Sequence, residues 1–136
     1  MRILVCGGRQ FEDAEKVHRE LVRLHWQRRI TVLIHGSMTG FGIAAEEWAR
    51  RNDVAVVRYP PNWELYGKKA EGRRNDFMLE DSRPALVLAF PGGRHTAALI
   101  QRATNAQIPV LAIPADGARS SGVAAKLPNR LATAEA

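Results

Sequence analysis

A chain of 136 residues fits one domain, and 46% hydrophobic with 25% charged residues describes a globular core under a solvated surface, not a disordered or fibrous chain. Lys and Arg number 20 against 14 Asp and Glu, and the resulting formal charge of +6 favours acidic partners: nucleotides, nucleic acid or anionic membranes. No run approaches the roughly 18 to 20 apolar residues that span a bilayer, a single cysteine excludes an intramolecular disulfide, and the 4 histidines show no ligand spacing that points to a metal.

Ile3 to Cys6 reads as a first strand, entered at once from Met1 and Arg2 without the features of a secretory signal, so a soluble cytoplasmic protein is expected. Cys6 is expected to be a small core residue in a reducing compartment. The run breaks into Gly7-Gly8-Arg9. From about Asp13 to Gln27, Ala14, Val17, Leu21, Leu24 and His25 keep near-helical spacing, with Glu12 or Asp13 as the cap. Thr31 to His35 is a second strand, breaking into Gly36-Ser37-Met38-Thr39-Gly40. Phe41 to Arg51 follows as a helix with Ile43, Ala44, Trp48 and Ala49 near one face, and with Glu46 and Glu47 read as solvated. Val54 to Arg58 is a third strand, stopped by Tyr59-Pro-Pro-Asn62 because proline lacks a ladder donor and restricts the residue before it.

Between Trp63 and Ser82 the pattern is less regular; a helix from about Ala70 to Leu79 is predicted to turn Phe77, Met78 and Leu79 inward. Ala85 to Phe90 is a fourth strand, breaking into Pro91-Gly92-Gly93-Arg94. Thr96 to Asn105 is the next helix and Pro109 to Ile113 a fifth strand, ended by Pro114. Residues 1–114 are thus expected to form the domain. Residues 115–136, rich in Ala, Ser and Gly, read as a mobile tail or a docked short helix.

Strands that are continuously apolar are those covered on both faces, and their alternation with helices predicts an α/β fold: a Rossmann-like, doubly wound, mainly parallel five-stranded sheet of order 3-2-1-4-5. In such a sheet ligands bind outside the carboxyl ends of the strands, where the order reverses. That point lies between strands one and four, so Gly7, Gly8 and Arg9 are expected to face Pro91, Gly92, Gly93 and Arg94. Gly36, Ser37, Thr39 and Gly40 complete the rim. Glycine lets the backbone approach a ligand, unpaired amides at helix starts favour anions, and Arg9 and Arg94 bring fork-shaped donors for phosphate or carboxylate. Thr96 adds a hydroxyl and an amide. His95 is read either as a donor or acid–base group, or as a residue that narrows the pocket. His35 is expected to be a satisfied core or rim residue.

The motifs Val5-Cys-Gly-Gly-Arg-Gln-Phe11, Ile34-His-Gly36 with Gly40, Ala45-Glu-Glu-Trp-Ala49, Tyr59-Pro-Pro-Asn-Trp63, Arg74-Asn75 and Phe90-Pro-Gly-Gly-Arg94 with Thr96 occur in order over about Met1 to Ile113. In these the chain resembles the SLOG superfamily, the Rossmann-like proteins related to Smf/DprA and to the Lonely-guy enzymes, and most closely its short stand-alone YspA-like branch. The resemblance implies binding of a nucleotide or nucleotide derivative on the Gly-rich loops, with Arg74 and Asn75 reaching the ligand, and a homo-oligomer. Some members cleave an N-glycosidic bond. The Lonely-guy loop Pro-Gly-Gly-x-Gly-Thr-x-x-Glu has His95 here in place of its last Gly and Leu99 in place of its Glu, while the acids frequent in the YspA-like branch are replaced by Ala98 and Gly42.

Cleavage through an oxocarbenium-like state needs a carboxylate, and none stands at those positions, so the catalytic residues are unassigned. Glu46, Glu47, Glu64 and Asp76 are the acids in elements that approach the rim. Trp63 and Tyr66 either stack on a base or seal the sheet edge; Trp48 is expected in the core, and Trp26 in the core or an interface. Lys69 and Arg73 are read as solvated or part of the basic stretch. Three readings follow: a sensor or carrier of a phosphorylated nucleoside or nucleotide derivative, needing no cofactor; a phosphoribohydrolase-like N-glycosidase; and a single-stranded nucleic-acid binder.

Overall fold

The computed structural model describes residues 1–36 and 39–115. Ser37 of the expected rim and all of the tail beyond Ala115 therefore lie outside the described residues. Five strands, β1 (Arg2–Cys6), β2 (Val32–His35), β3 (Ala55–Arg58), β4 (Leu86–Ala89) and β5 (Val110–Ala112), form one sheet of order β3-β2-β1-β4-β5, every pair parallel. Between them run α1 (Ala14–Gln27), α2 (Gly40–Arg51), α3 (Trp63–Tyr66), a 3-10 turn (Gly67–Lys69), α4 (Ala70–Ser82) and α5 (Arg94–Asn105).

Alternate residues of the central strands feed two separate apolar layers, as the two-residue side-chain period requires. Ile3, Val5, Leu33, Leu86 and Leu88 join Leu21, Leu24 and Trp48 of α1 and α2 on one face. Leu4, Cys6, Ile34, Val87 and Ala89 join Met78, Leu79 and Leu99 of α4 and α5 on the other. The sheet is thus covered on both sides, which is why its inner strands read as unbroken apolar runs. The edge strand β3 is mostly exposed.

Helix faces depart from the expected ones at four places. The buried stripe of α4 is Asn75, Met78, Leu79 and Ser82, so Phe77 falls on the outer face, where it is exposed and packs edge-on against Tyr59. Ile43 likewise points outward, because α2 buries Phe41, Ala44, Ala45, Trp48 and Ala49. Ala14 is exposed at the start of α1, where Glu20 is buried instead. Trp26 is 85% exposed, which removes it from the core.

Candidate functional site

A cavity of about 450 Å³ opens at the carboxyl ends of β1, β2 and β4. That is within the range of small-molecule sites, about 300–1,000 Å³. Of the expected rim, Gly7, Gly8, Arg9, Gly36, Thr39, Arg74, Asn75, Gly93, Arg94, His95 and Thr96 line it. Gly40, Pro91 and Gly92 do not; the two glycines have packing tasks, and the Pro91 carbonyl accepts a hydrogen bond.

Gly8 and Gly92 make the junction where strand order reverses. The Gly8 amide donates to the Pro91 carbonyl at 3.0 Å, and the Phe11 amide turns back to the Gly8 carbonyl at 3.2 Å. A Cβ on Gly92 would stand 2.6 Å from the Gly8 nitrogen and run into the Thr96 hydroxyl, while a Cβ on Gly8 would stand 2.9 Å from Gly92 Cα. These two glycines let the loops after β1 and β4 touch. The Gly8 amide is thereby engaged within the protein. At Gly40 a Cβ would strike the Phe11 carbonyl, so that glycine seats α2 against the β1–α1 loop.

The helix starts differ in what they offer. Asp13 caps α1 by accepting from the Lys16 amide at 3.1 Å, and that start stands several residues beyond the Gly7–Gly8 turn. By contrast α5 begins directly at the cavity, and among the described residues no side chain caps it. The first intrahelical bond runs from Ala97 to the Gly93 carbonyl, so the amides of Arg94, His95 and Thr96 open the helix without intrahelical acceptors and with positive partial charge. The helix begins two residues before Thr96, where it was expected to start; this sets Arg94 and His95 in its first turn.

Arg74 is a clamp. Its Nη1 donates to the carbonyls of Gly36 and Tyr59 and its Nε to Asn75 Oδ1, tying the end of β2 to the end of β3. Burial pulls its pKa below the ordinary arginine value. Gly36 has no room for a Cβ because the guanidinium lies against it. Behind this loop His35 is fully buried and its Nε2 lies 2.5 Å from Glu46 Oε2, while Arg58 donates to both Glu46 oxygens at 2.5 and 2.6 Å. Glu46 is therefore buried and paired, contrary to the solvated reading of its helix face. The Arg58 guanidinium above all, with His35, holds its carboxyl down at about 2.

The carboxylate that does enter the cavity is Glu71, which the sequence reading passed over. The signal was available: Glu71 precedes Arg74 and Asn75 by three and four residues, so it shares their face of α4. Its side chain is only 13% exposed and sits 3.1 Å from Arg9 Nε and 3.9 Å from His95 Nε2. Arg9 in turn lies over the Trp63 ring, 5.9 Å from its centroid. The β1–α1 loop, α4 and the first turn of α5 thus bring Arg9, Glu71, Arg94 and His95 to the lining of one cavity.

Trp63 lines the cavity with half its surface free, whereas Tyr66 carries the Arg73 guanidinium at 4.8 Å outside it. Of the other acids considered, Asp76 pairs with Arg102 at 2.8 Å on the surface, Glu64 is exposed and Glu47 is half-buried. Leu99 is packed in the α4–α5 layer. Cys6 lies at the cavity floor, its thiol pushed up to about 12 by burial, which keeps it protonated and unreactive. Among the described residues no His, Cys, Asp and Glu side chains gather as a metal site, and no helix is long and apolar enough to cross a membrane.

Residues 1–66 match the family model described as YAcAr: YspA, cpYpsA-related SLOG family. No curated protein is found to match the chain.

Proposed function

The match over residues 1–66 assigns the chain to the SLOG superfamily, in its YspA-like branch, and from that premise we propose that it binds a phosphorylated nucleoside or nucleotide derivative in the cavity at the strand ends, as a sensor or carrier. The observation that carries this reading is the uncapped start of α5, which opens on the cavity beside Arg94 and across from Arg9. A phosphate held there accepts from first-turn amides and from guanidinium forks, the arrangement that favours oxyanions. Trp63, Pro60 and Pro61 supply the apolar wall for a base.

Titration calorimetry with nucleoside monophosphates tests it. Saturable binding is expected, weakened by about tenfold or more in Arg94→Ala, since a charge-assisted phosphate contact contributes about 1.5–3 kcal/mol. Heats that stay at dilution level for every nucleotide contradict it. A basic surface alone would instead bind oligonucleotides with steep salt dependence and no preference for free nucleotides.

Glu71 favours a second reading, an N-glycosidase. It supplies inside the cavity the carboxylate that Leu99 does not, the group that activating a water for such cleavage requires. Release of free base from a nucleoside monophosphate, abolished in Glu71→Gln, is the outcome that would establish turnover; an unchanged nucleotide after prolonged incubation leaves binding as the activity.

A further inference from the structure

A carboxylate is out of place in a cavity fitted for an anion. Glu71 repels a phosphate wherever the two share the space, and its low exposure leaves little water to screen it. Its protein partners do not saturate it: one arginine nitrogen lies at 3.1 Å from Oε1, and His95 lies at 3.9 Å from Oε2, beyond hydrogen-bond length. An ionised carboxylate has about four acceptor positions. Resting on the nucleotide reading above, we propose that Glu71 reads the ligand's sugar: its free acceptor positions take the vicinal hydroxyls of a ribose, so that the site selects ribonucleotides over their deoxy counterparts.

The geometry assigns the two ends of the ligand to two sides of the cavity. Phosphate takes the α5 start and Arg94, and a sugar between that point and Trp63 passes the α4 face that carries Glu71. Paired hydroxyls match a carboxylate because each oxygen accepts one O–H, and a charged acceptor makes the stronger bond. A ligand without those hydroxyls leaves Glu71 facing phosphate with only Arg9 and the more distant His95 and Arg74 to offset it. The penalty for the wrong sugar therefore includes an unmet acceptor as well as a missing bond.

The test is a comparison of adenosine, guanosine, cytidine and uridine 5′-monophosphates with their 2′,3′-dideoxy forms, by calorimetry on the full chain and on Glu71→Ala and Glu71→Gln. For the base that binds, the natural protein is expected to favour the ribo form by about tenfold or more. Glu71→Ala is expected to bring that ratio to about one, losing affinity for the ribo form and gaining it for the dideoxy form as repulsion is removed. Glu71→Gln, which keeps the side-chain shape and serves if the alanine variant does not fold, is expected to lower the ratio in the same sense. Equal binding of both sugars by the natural protein overturns the proposal while leaving nucleotide binding intact. So does a variant that weakens both sugars by the same factor, the pattern of a residue that merely anchors Arg9. Absence of binding by every nucleotide overturns the function reading and this inference with it.

Discussion

Glu46 makes a test of its own at the level of single residues. It is buried, its two oxygens are held by Arg58, and one also meets His35. Its carboxyl is held down at about 2 from an ordinary 4.5. A depressed acid stabilises the fold at any pH above its unfolded value, and that contribution is lost as pH falls from about 4.5 to about 2. Glu46→Gln is therefore expected to lower stability at neutral pH by about 1–2 kcal/mol, kept modest because Arg58 remains half in water. The gap to the natural protein should close as the pH of a urea titration is brought through that window. A difference that persists unchanged at the acid end would show that the pairing is not its source. This residue was hidden in the sequence for a physical reason. A Glu beside a Glu at mid-helix has the appearance of a solvated face, and what buries one of them is a partner from β3 that no local pattern reveals. Gly8, Arg9 and Arg94, by contrast, were legible as cavity residues because a turn after a buried strand fixes where its residues go. Glu71 needed only the helical period to be carried three residues back from Arg74.

Among the connecting elements, the contact between the β1 and β4 loops separates two adjacent glycines. Gly92 abuts Gly8 and Thr96, while a Cβ at Gly93 meets nothing within 4 Å. Gly92→Ala is expected to destabilise by about 1–3 kcal/mol, as overpacking does, and Gly93→Ala to cost less, only the loss of a favourable helix-cap residue. Thermal melts of the two variants decide the matter; equal losses, or a larger loss at Gly93, would contradict the packing described. The apolar stripes of α1 and α2 were readable in part: Val17, Leu21, Leu24, Ala44, Trp48 and Ala49 are buried as expected, while Ala14 and Ile43 are not. That of α4 was not readable, since its buried face includes Asn75 and Ser82. Phe77 then misleads: a large apolar residue beside Met78 suggests the core, yet the 100° step per residue turns it toward Tyr59 and solvent. The start of α5 at Arg94 was missed by two residues because a Pro-Gly-Gly turn conceals where helical dihedrals begin.

For the molecule as a whole, a doubly wound parallel sheet decides where a ligand goes before any side chain is considered. β1 pairs with both β2 and β4, so the crossovers leaving it and β4 run to opposite faces and leave a gap at the carboxyl ends. The parallel, doubly wound class was legible from unbroken apolar runs alternating with helices, while the order 3-2-1-4-5 was expected as that of a Rossmann-like sheet and is the order observed. The traffic of charge into the gap was legible only in part: the arginines were evident, and the internal carboxylate was not. The most direct test of the central claim is a titration of isotopically labelled protein with a nucleoside monophosphate, followed through its backbone amide resonances. The expected result is saturable shifts concentrated at Arg94, His95 and Thr96, with smaller ones at Gly7 and Arg9, and still ones in the middle of α1. Shifts that never saturate, or that gather on α1 while the start of α5 stays unmoved, would contradict it.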